Sequence, residues 1–470
     1  MVMRFQSVDE VMTRREGVEF LQFEERDPCY TWLFPLRLGP FDMLRAWAPT
    51  SLPRLTDNLT LYVHIPYCRF ICSMCPFTHE PLMKRDLTSY VAALLEEIRI
   101  YSQHPSAKGR RVTTLYFGGG TASSLTPDQV AMILDAIRSG FSLEPSCEIT
   151  LECHPRTVDR NYLAQVRSLG VGRVSFGIQS FQQRNIDLLK LHQKVEQSRE
   201  ILETAIDLGF QTVAMDLMYR YPDQRVEDLE AEIDTALAIG IHGISVYSLD
   251  PVVRGMSSVA SRQVPVAIEA DMYYYLHDRL HDAGFVHVAQ PDYARISHEN
   301  MQLRDLWGAP QAENLGFGAG AFSESFNGAT WANLQNSNDY IEAVSRGELP
   351  VLMGQSHSWD DAAARYPALG VRCLSVPLQP FETSFGTSLR ELYRLELEAL
   401  ERRGLTTFDE ERLWVTRRGK FFIDNISKAF FNLANRGKPQ LWGHDLRTLR
   451  APIARRSEEA LRVMESYTWE

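Results

Sequence analysis

The sequence predicts an α/β protein: a barrel or partial barrel of parallel strands, with a cap region and a small C-terminal lobe. Three observations predict it. From about residue 60, short β-branched or aromatic runs alternate with long amphipathic ones, the pattern of repeated strand–helix units. In the long runs apolar residues recur at three and four positions, the spacing of one helix face. Several of these runs end in glycine, as helix C-caps do, and one opens on Thr126-Pro127-Asp128, a capping hydroxyl followed by proline in the first turn.

Residues 1–55 carry an aromatic and proline mixture, "CYTWLFPLRLGPF", without sustained period, and read as a leader packed on something larger. Residues 56–260 hold six candidate strands: "LTLYVHIP", "RVTTLYFGGG", "CEITLECHP", "RVSFGIQS", "QTVAMDLMY" and "GISVYSLDP". Between them lie helix-like stretches such as "TPDQVAMILDAIRSG" and "VEDLEAEIDTALAIG". Six such strands in order favour a barrel or partial barrel over an open sheet. Residues 261–385 are mixed, with a helix-like "IEADMYYYLHDRLHDAG" and a Gly-rich "NLGFGAGA", and are expected to cap the barrel mouth. Residues 386–435 read as helix, short strand and helix, a separate lobe, and 436–470 as a surface tail ending in a helix.

The chain has 470 residues, a net charge of −11 and 44% hydrophobic residues, which fits a soluble protein with a sizeable core. No run of eighteen apolar residues occurs, and the N-terminus is charged early and has no apolar export segment, so a cytoplasmic location and no membrane partner are expected. The acidic balance disfavours nucleic acid. Seven cysteines, an odd number in such a chain, fit reduced thiols or thiolate ligands better than disulfides. Cys29, Cys147, Cys153 and Cys373 are isolated and read as small buried hydrophobes.

The remaining three, Cys68, Cys72 and Cys75, fall within eight residues after a strand and Pro66. Close thiolates repel, so such a set makes sense where a metal centre balances the charge. A structural zinc site needs four ligands, commonly as two pairs, and no second pair exists. Three sulfurs suit a [4Fe-4S] cluster that keeps one iron open to a small molecule.

With "YVHIP" before it, the Cys-x3-Cys-x2-Cys pattern resembles the radical S-adenosylmethionine (SAM) superfamily, and more narrowly its HemN-like branch. "LYFGGGTAS", "EITLECHP", "RVSFGIQSF", "GFQTVAMDLMYRYPDQ", "NLGFGAGA" and "LWVTRRGKFFIDNI" resemble further motifs of that branch, in order over roughly residues 58–435. The resemblance implies a (β/α)6 partial TIM barrel and a C-terminal lobe of helical, winged-helix-like type. It implies a [4Fe-4S] cluster on Cys68, Cys72 and Cys75, with SAM chelating the open iron. Gly118, Gly119, Gly120 and Thr121 suit close approach of an amino acid head group. Glu152, Gln179 and Asp216 match SAM contacts, Tyr62 would hydrogen-bond SAM, and Met74 and Phe77 would lie beside it. An electron donor such as flavodoxin or ferredoxin, a small-molecule substrate and a pathway partner enzyme complete the expected partners.

Three departures direct the reaction expected. Coproporphyrinogen dehydrogenase members carry a further cysteine where this chain has Phe77. Where the family commonly has an arginine before a histidine, this chain has Lys190, which replaces a guanidinium fork with a point charge. Of the heme-chaperone His-Asn-x-x-Tyr-Trp motif, Trp307 alone is clear. Gly316, Gly318 and Gly320 could admit a second SAM. The sequence reading therefore favours two SAM molecules and transfer of a SAM-derived methylene to an sp2 carbon, giving C-methylation or cyclopropanation. Oxygen-independent coproporphyrinogen III dehydrogenation, heme chaperoning and radical heme degradation are the alternatives. His79, Glu80, His192, Tyr247 and Arg295 are polar candidates, among which no general base is assigned.

Overall fold

The structure is a computed structural model and describes residues 26–27, 30–35, 38–39, 41, 50–83, 87–249, 259, 262–432 and 435. Most of the leader, Cys29 and the tail helix expected within 436–470 lie outside the described residues.

Strands β1 (Asn58–Ile65), β2 (Arg111–Gly119), β3 (Ser142–Cys153), β4 (Arg173–Gln179), β5 (Thr212–Tyr219) and β6 (Gly243–Ser248) lie side by side in chain order, all parallel. This is the α/β partial barrel. Strand alternation sorts its residues. Leu59, Leu61, Val63 and Ile65 of β1 are fully buried, while the alternate positions Tyr62 and His64 face a cavity. The same period places Tyr116, Glu152, Asp216 and Ser245 on the cavity side of their strands.

The helices between them are α1 (Leu87–Ser102), α2 (Pro127–Gly140), α3 (Arg160–Ser168), α4 (Gln183–Leu189), α5 (Val195–Asp207) and α6 (Val226–Ile239). In α2 the Thr126 hydroxyl accepts the Gln129 amide and the Gln129 side chain returns to Thr126, a capping box that contributes about 1 kcal/mol. Its buried face is Val130, Ile133, Leu134 and Ile137, each adding roughly 1.5–3 kcal/mol of apolar burial.

Residues 261–385, expected to cap the barrel mouth, extend the sheet at both of its edges. Strands β7 (Val286–Ala289) and β8 (Asp292–Ala294) add antiparallel beyond β6, and β9 (Glu313–Phe317) adds parallel beside β1. An antiparallel run of β10 (Phe322–Phe326), β11 (Ala329–Asn333) and β12 (Val351–Ser356) follows, making one 12-stranded sheet. The physical reason is the open edge of β1: β9 covers its backbone, and Thr60 donates its hydroxyl to Asn314 Oδ1 at 2.9 Å.

The C-terminal lobe begins before residue 386. Helix Trp359–Gly370 packs with helices Gln379–Phe385, Arg394–Arg402 and Ile423–Ala429, and a three-stranded antiparallel sheet unites Ser375–Pro377, Thr406–Phe408 and Arg412–Val415. Leu306 and Trp307 join this core, so the barrel and the lobe share buried surface. Among the described residues no helix is long and apolar enough to cross a membrane.

Candidate functional site

The three-cysteine loop is a closed loop rather than a free arm. Tyr67–Cys68 pairs in parallel with Glu80–Pro81, the Glu80 amide donates to Pro66 O at 2.6 Å, and the Leu82 amide donates to Cys68 O at 2.9 Å. Glu80 in turn accepts the Ser337 amide at 2.7 Å and the Ser337 hydroxyl at 2.9 Å, which fixes the loop to a helix N-terminus. Cys72 and Met74 pack on Ile186, Leu189 and Leu191, and the Ser73 amide and hydroxyl both donate to Leu189 O.

All three cysteines line one cavity of about 530 Å³ at the C-terminal ends of the strands, together with Tyr62, Gly119, Gly120, Thr121, Glu152, Gln179 and Asp216. Burial and the other two sulfurs push the Cys72 thiol up to about 12, so three thiolates there require a positive centre. Among the described residues no three such ligands converge on a single-ion position, and sulfurs that each bind a different iron of a cube need not. The donor set therefore fits a [4Fe-4S] cluster.

The glycine turn beside it is a cradle that a methyl group would fill. A Cβ on Gly120 would lie 2.7 Å from Pro66 O and 3.0 Å from Cys68 Sγ. One on Gly119, whose φ is +114°, would lie 2.9 Å from the His64 ring. Gly118 allows Glu152 and Tyr62 to approach, since its Cβ would meet Glu152 Oε2 at 2.9 Å. The Thr121 hydroxyl lies 3.3 Å from Cys68 Sγ and donates toward it.

The carboxylates face this turn. Glu152 accepts the Tyr116 hydroxyl at 2.8 Å and the Gly119 amide at 3.2 Å. Burial raises its pKa, opposed by those hydrogen bonds. Asp216 is pushed up to about 8, first by burial and then by the charges of Glu152 and Asp292. Both side chains line the cavity. A ligand carrying an ammonium or sulfonium group would favour their ionised forms, so the donor set fits SAM. Burial holds His64 down at about 4, hence neutral, with Nε2 3.2 Å from Thr78 O.

The structure does not bring every expected residue to the cavity. Lys190 is exposed, at the left-handed C-cap of α4 with φ +52°, and does not line the cavity; the cap directs it to solvent. Gly316 and Gly318 also lie off its wall. A Cβ on Gly316 would meet Phe322 O at 2.2 Å and one on Gly318 would meet His64 O at 2.4 Å, so both serve backbone packing rather than ligand approach. Gly320 does line the cavity, against Thr78. Phe77 stands at the cavity edge, 52% exposed. Of the polar candidates, His79 and Tyr247 line the cavity. Glu80 is committed to Ser337, His192 stacks on Phe70, and Arg295 packs on Phe285, each outside the cavity.

Sequence reasoning passed over Arg173, Asp292 and Glu324, which line the cavity and are 3%, 4% and 3% exposed. Among the described residues, Arg173 Nε and Nη1 and Asp292 Oδ2 have no hydrogen-bond partner. The signal was there: a charged residue inside a short apolar strand has a reason. Tyr30, Trp32, Tyr247, Trp307 and Phe322 give the cavity an aromatic wall, with Tyr30 edge-on to Trp307 at 6.0 Å and Trp32 edge-on to Phe322 at 4.8 Å.

Comparison with known proteins agrees with this geometry. The radical SAM superfamily domain matches residues 62–233, the span that carries the three cysteines and, but for the first residues of β1, strands β1 to β5. The HemN C-terminal domain matches residues 360–422, within the C-terminal lobe. The heme chaperone HemW of Bacillus subtilis is 27% identical over 78% of this chain and 98% of its own length. Anaerobilin synthase of Escherichia coli is 26% identical over 82% and 85%, and the oxygen-independent coproporphyrinogen III oxidase of Pseudomonas aeruginosa is 27% identical over 84% and 89%. The solved coproporphyrinogen III oxidase HemN of Escherichia coli superposes with a TM-score of 0.73 at 22% identity, covering 87% of this chain and 97% of that one, and shares the fold.

Proposed function

We propose that the protein performs radical SAM chemistry on a flat, conjugated acceptor of the tetrapyrrole class. The observation that carries the reading is one continuous cavity joining three sulfurs, a glycine and carboxylate cradle, and an aromatic wall. The names of two relatives support the acceptor class, a heme chaperone and a coproporphyrinogen III oxidase. Cys68, Cys72 and Cys75 would hold the cluster, and Gly119, Gly120, Thr121, Glu152, Gln179 and Asp216 would hold SAM. When bound there, these cofactors would supply radical hydrogen-abstraction chemistry. The chain's own part is to orient and to exclude water. Tyr116 and Gly119 fix Glu152, the Ser73 and Glu80 contacts fix the sulfur loop, and the ring wall presents an apolar face to the acceptor.

The test is anaerobic reconstitution with SAM and either coproporphyrinogen III or heme, reading 5′-deoxyadenosine and the mass of the tetrapyrrole. Formation of 5′-deoxyadenosine with an altered tetrapyrrole supports the proposal; an unaltered tetrapyrrole under conditions of SAM cleavage overturns the acceptor class. A second reading, methylene transfer from a second SAM to an sp2 carbon, is favoured by Phe77 standing where related dehydrogenases carry a further cysteine. Methyl-deuterated SAM decides it: this reading requires S-adenosylhomocysteine and deuterium in the product.

A further inference from the structure

Strand β10 sets a carboxyl into the aromatic wall of the cavity. Phe322 and Glu324 stand two residues apart on it, and both line the cavity, as alternation along a strand directs. Phe322 meets Trp32 edge-on at 4.8 Å and so belongs to the wall. Glu324, its neighbour on the same face, is 3% exposed. A charge buried among rings is costly and calls for a partner.

The partner inside the chain is incomplete. Arg365, on helix Trp359–Gly370 of the C-terminal lobe, holds Nη2 3.8 Å from Glu324 Oε2, an ion pair too long for a hydrogen bond. That nitrogen donates instead to Leu306 O at 3.4 Å, next to Trp307 of the wall. Glu324 Oε2 and Arg365 Nε have no hydrogen-bond partner among the described residues. Other cavity carboxyls are committed: Glu152 to Tyr116 and Gly119, and Asp424 to the Thr31 amide and Arg372. Asp292, whose Oδ2 is also unpartnered, belongs with Glu152 and Asp216, since its charge and that of Glu152 both act on Asp216. The charge acting on Glu324 is that of Arg365, which sets it apart from this group. Burial raises Glu324 to about 7 against the pull of Arg365, so at pH 8 the carboxylate prevails.

We propose that Glu324 selects the acceptor by accepting hydrogen bonds from its inner ring N–H groups, so that the site takes a metal-free tetrapyrrole in preference to a metal-filled one. The proposal rests on the tetrapyrrole reading of this cavity and refines it. A macrocycle laid with its face on the aromatic wall turns its inner nitrogens toward the polar group set in that wall, the Glu324 carboxylate. In a metal-free ring those nitrogens carry N–H donors, and their bond to a buried carboxylate is charge-assisted. In a metal-filled ring the nitrogens are coordinated and donate nothing, so binding buries the carboxylate without its missing partner.

The test uses the reconstituted, SAM-loaded protein at pH 8 without oxygen or reductant, and rings of one periphery: free-base coproporphyrin III, its palladium(II) complex, which has no N–H and takes no axial ligand, and its iron(III) complex. Absorbance titrations read affinity without turnover. The parent should bind the free base about tenfold or more tightly than the palladium ring. Glu324→Gln keeps the volume, can still accept from Arg365 and turns an amide donor toward the ring. It should lose free-base affinity until the two rings bind within about twofold of each other, with iron content and palladium-ring affinity near those of the parent. Glu324→Asp keeps the charge and should retain a preference for the free base. Equal affinities in the parent, or an undiminished preference in Glu324→Gln, overturns the proposal. Equal loss of both rings in Glu324→Gln at full iron content shows a structural role and overturns it too. So does tightest binding of the iron ring with an absorbance change that Glu324→Gln removes, because the carboxylate is then an axial ligand. A parent that binds none of the rings overturns the tetrapyrrole reading itself, and the role of Glu324 falls with it.

Discussion

Tyr116 donates its hydroxyl to Glu152 Oε1 at 2.8 Å across neighbouring strands β2 and β3, while the Gly119 amide takes Oε2 at 3.2 Å. The carboxylate is thereby aimed before any ligand arrives. Glu152→Ala removes a buried charged acceptor and should weaken SAM binding by about 10–100-fold. Tyr116→Phe loses one aiming hydrogen bond, worth about 1 kcal/mol, and should weaken it about fivefold. Equilibrium dialysis with reconstituted protein checks both, with iron content expected to match the parent.

Asp216 gives the site a pH dependence whose sign is fixed by its neighbours. Its pKa is raised to about 8, so near neutrality the ligand-free carboxyl holds a proton that a cationic ligand must displace. SAM affinity should therefore rise with pH toward about 8 and level off beyond it. Stability moves the other way. The folded state binds the extra proton between the ordinary value of 3.8 and about 8, so the contribution of this group is full below that window and is lost as pH rises through it. Asp216→Asn should abolish both trends and stabilise the ligand-free protein at pH above 8 by on the order of 1–3 kcal/mol, read by chemical denaturation at two pH values.

Gly120 tests whether the glycine turn and the sulfur loop form one unit. Gly120→Ala puts a methyl group 2.7 Å from Pro66 O, a backbone atom that cannot swing away, and 3.0 Å from Cys68 Sγ. Displacement of the loop should lower bound iron and sulfide after reconstitution to about half or less. Gly177→Ala is the control: its Cβ would meet only the Gln179 side chain, at 3.4 Å, so full iron loading is expected.

The six strands and their helices were legible because period and caps act locally. Thr126 and Gln129 cap α2 in the pattern that "TPDQ" announces, and Leu59, Leu61, Val63 and Ile65 alternate as a strand face should. The cavity positions of Tyr62, Glu152, Gln179 and Asp216 follow from the same alternation together with the resemblance. What was illegible depends on distant partners. Nothing in "ENLGF" announces that β9 pairs with β1, a strand about 250 residues earlier. Gly316 and Gly318 read as room for a ligand, whereas the atoms they spare belong to Phe322 and His64. Lys190 turned on a single left-handed cap, a backbone feature that spacing does not encode.

Glu97 is the buried group that ties these halves together, and its two obvious substitutions should differ. The side chain is fully buried on α1; Oε2 accepts the Gly318 amide at 2.7 Å and the Tyr340 hydroxyl at 2.6 Å, and Oε1 accepts Asn333 Nδ2 at 2.7 Å. Glu97→Ala strands all three donors and leaves a void behind the Gly-rich strand, which should cost about 3 kcal/mol or more. Glu97→Gln can keep the Gly318 and Tyr340 bonds on its carbonyl oxygen. Its amide then faces Asn333, whose Oδ1 has no partner among the described residues, and a flip of Asn333 turns that oxygen toward it. The flip sacrifices the 3.0 Å bond from Asn333 Nδ2 to Gly318 O, so a loss of about 1 kcal/mol is expected. The native carboxyl is raised to about 7 by burial, so its contribution should fall as pH rises from 4.5 through about 7, and the Gln variant should lack that slope. Denaturation midpoints of the parent and both variants at pH 5 and 8 decide the matter; equal losses for Ala and Gln would overturn the expectation that Gln keeps the Gly318 and Tyr340 bonds.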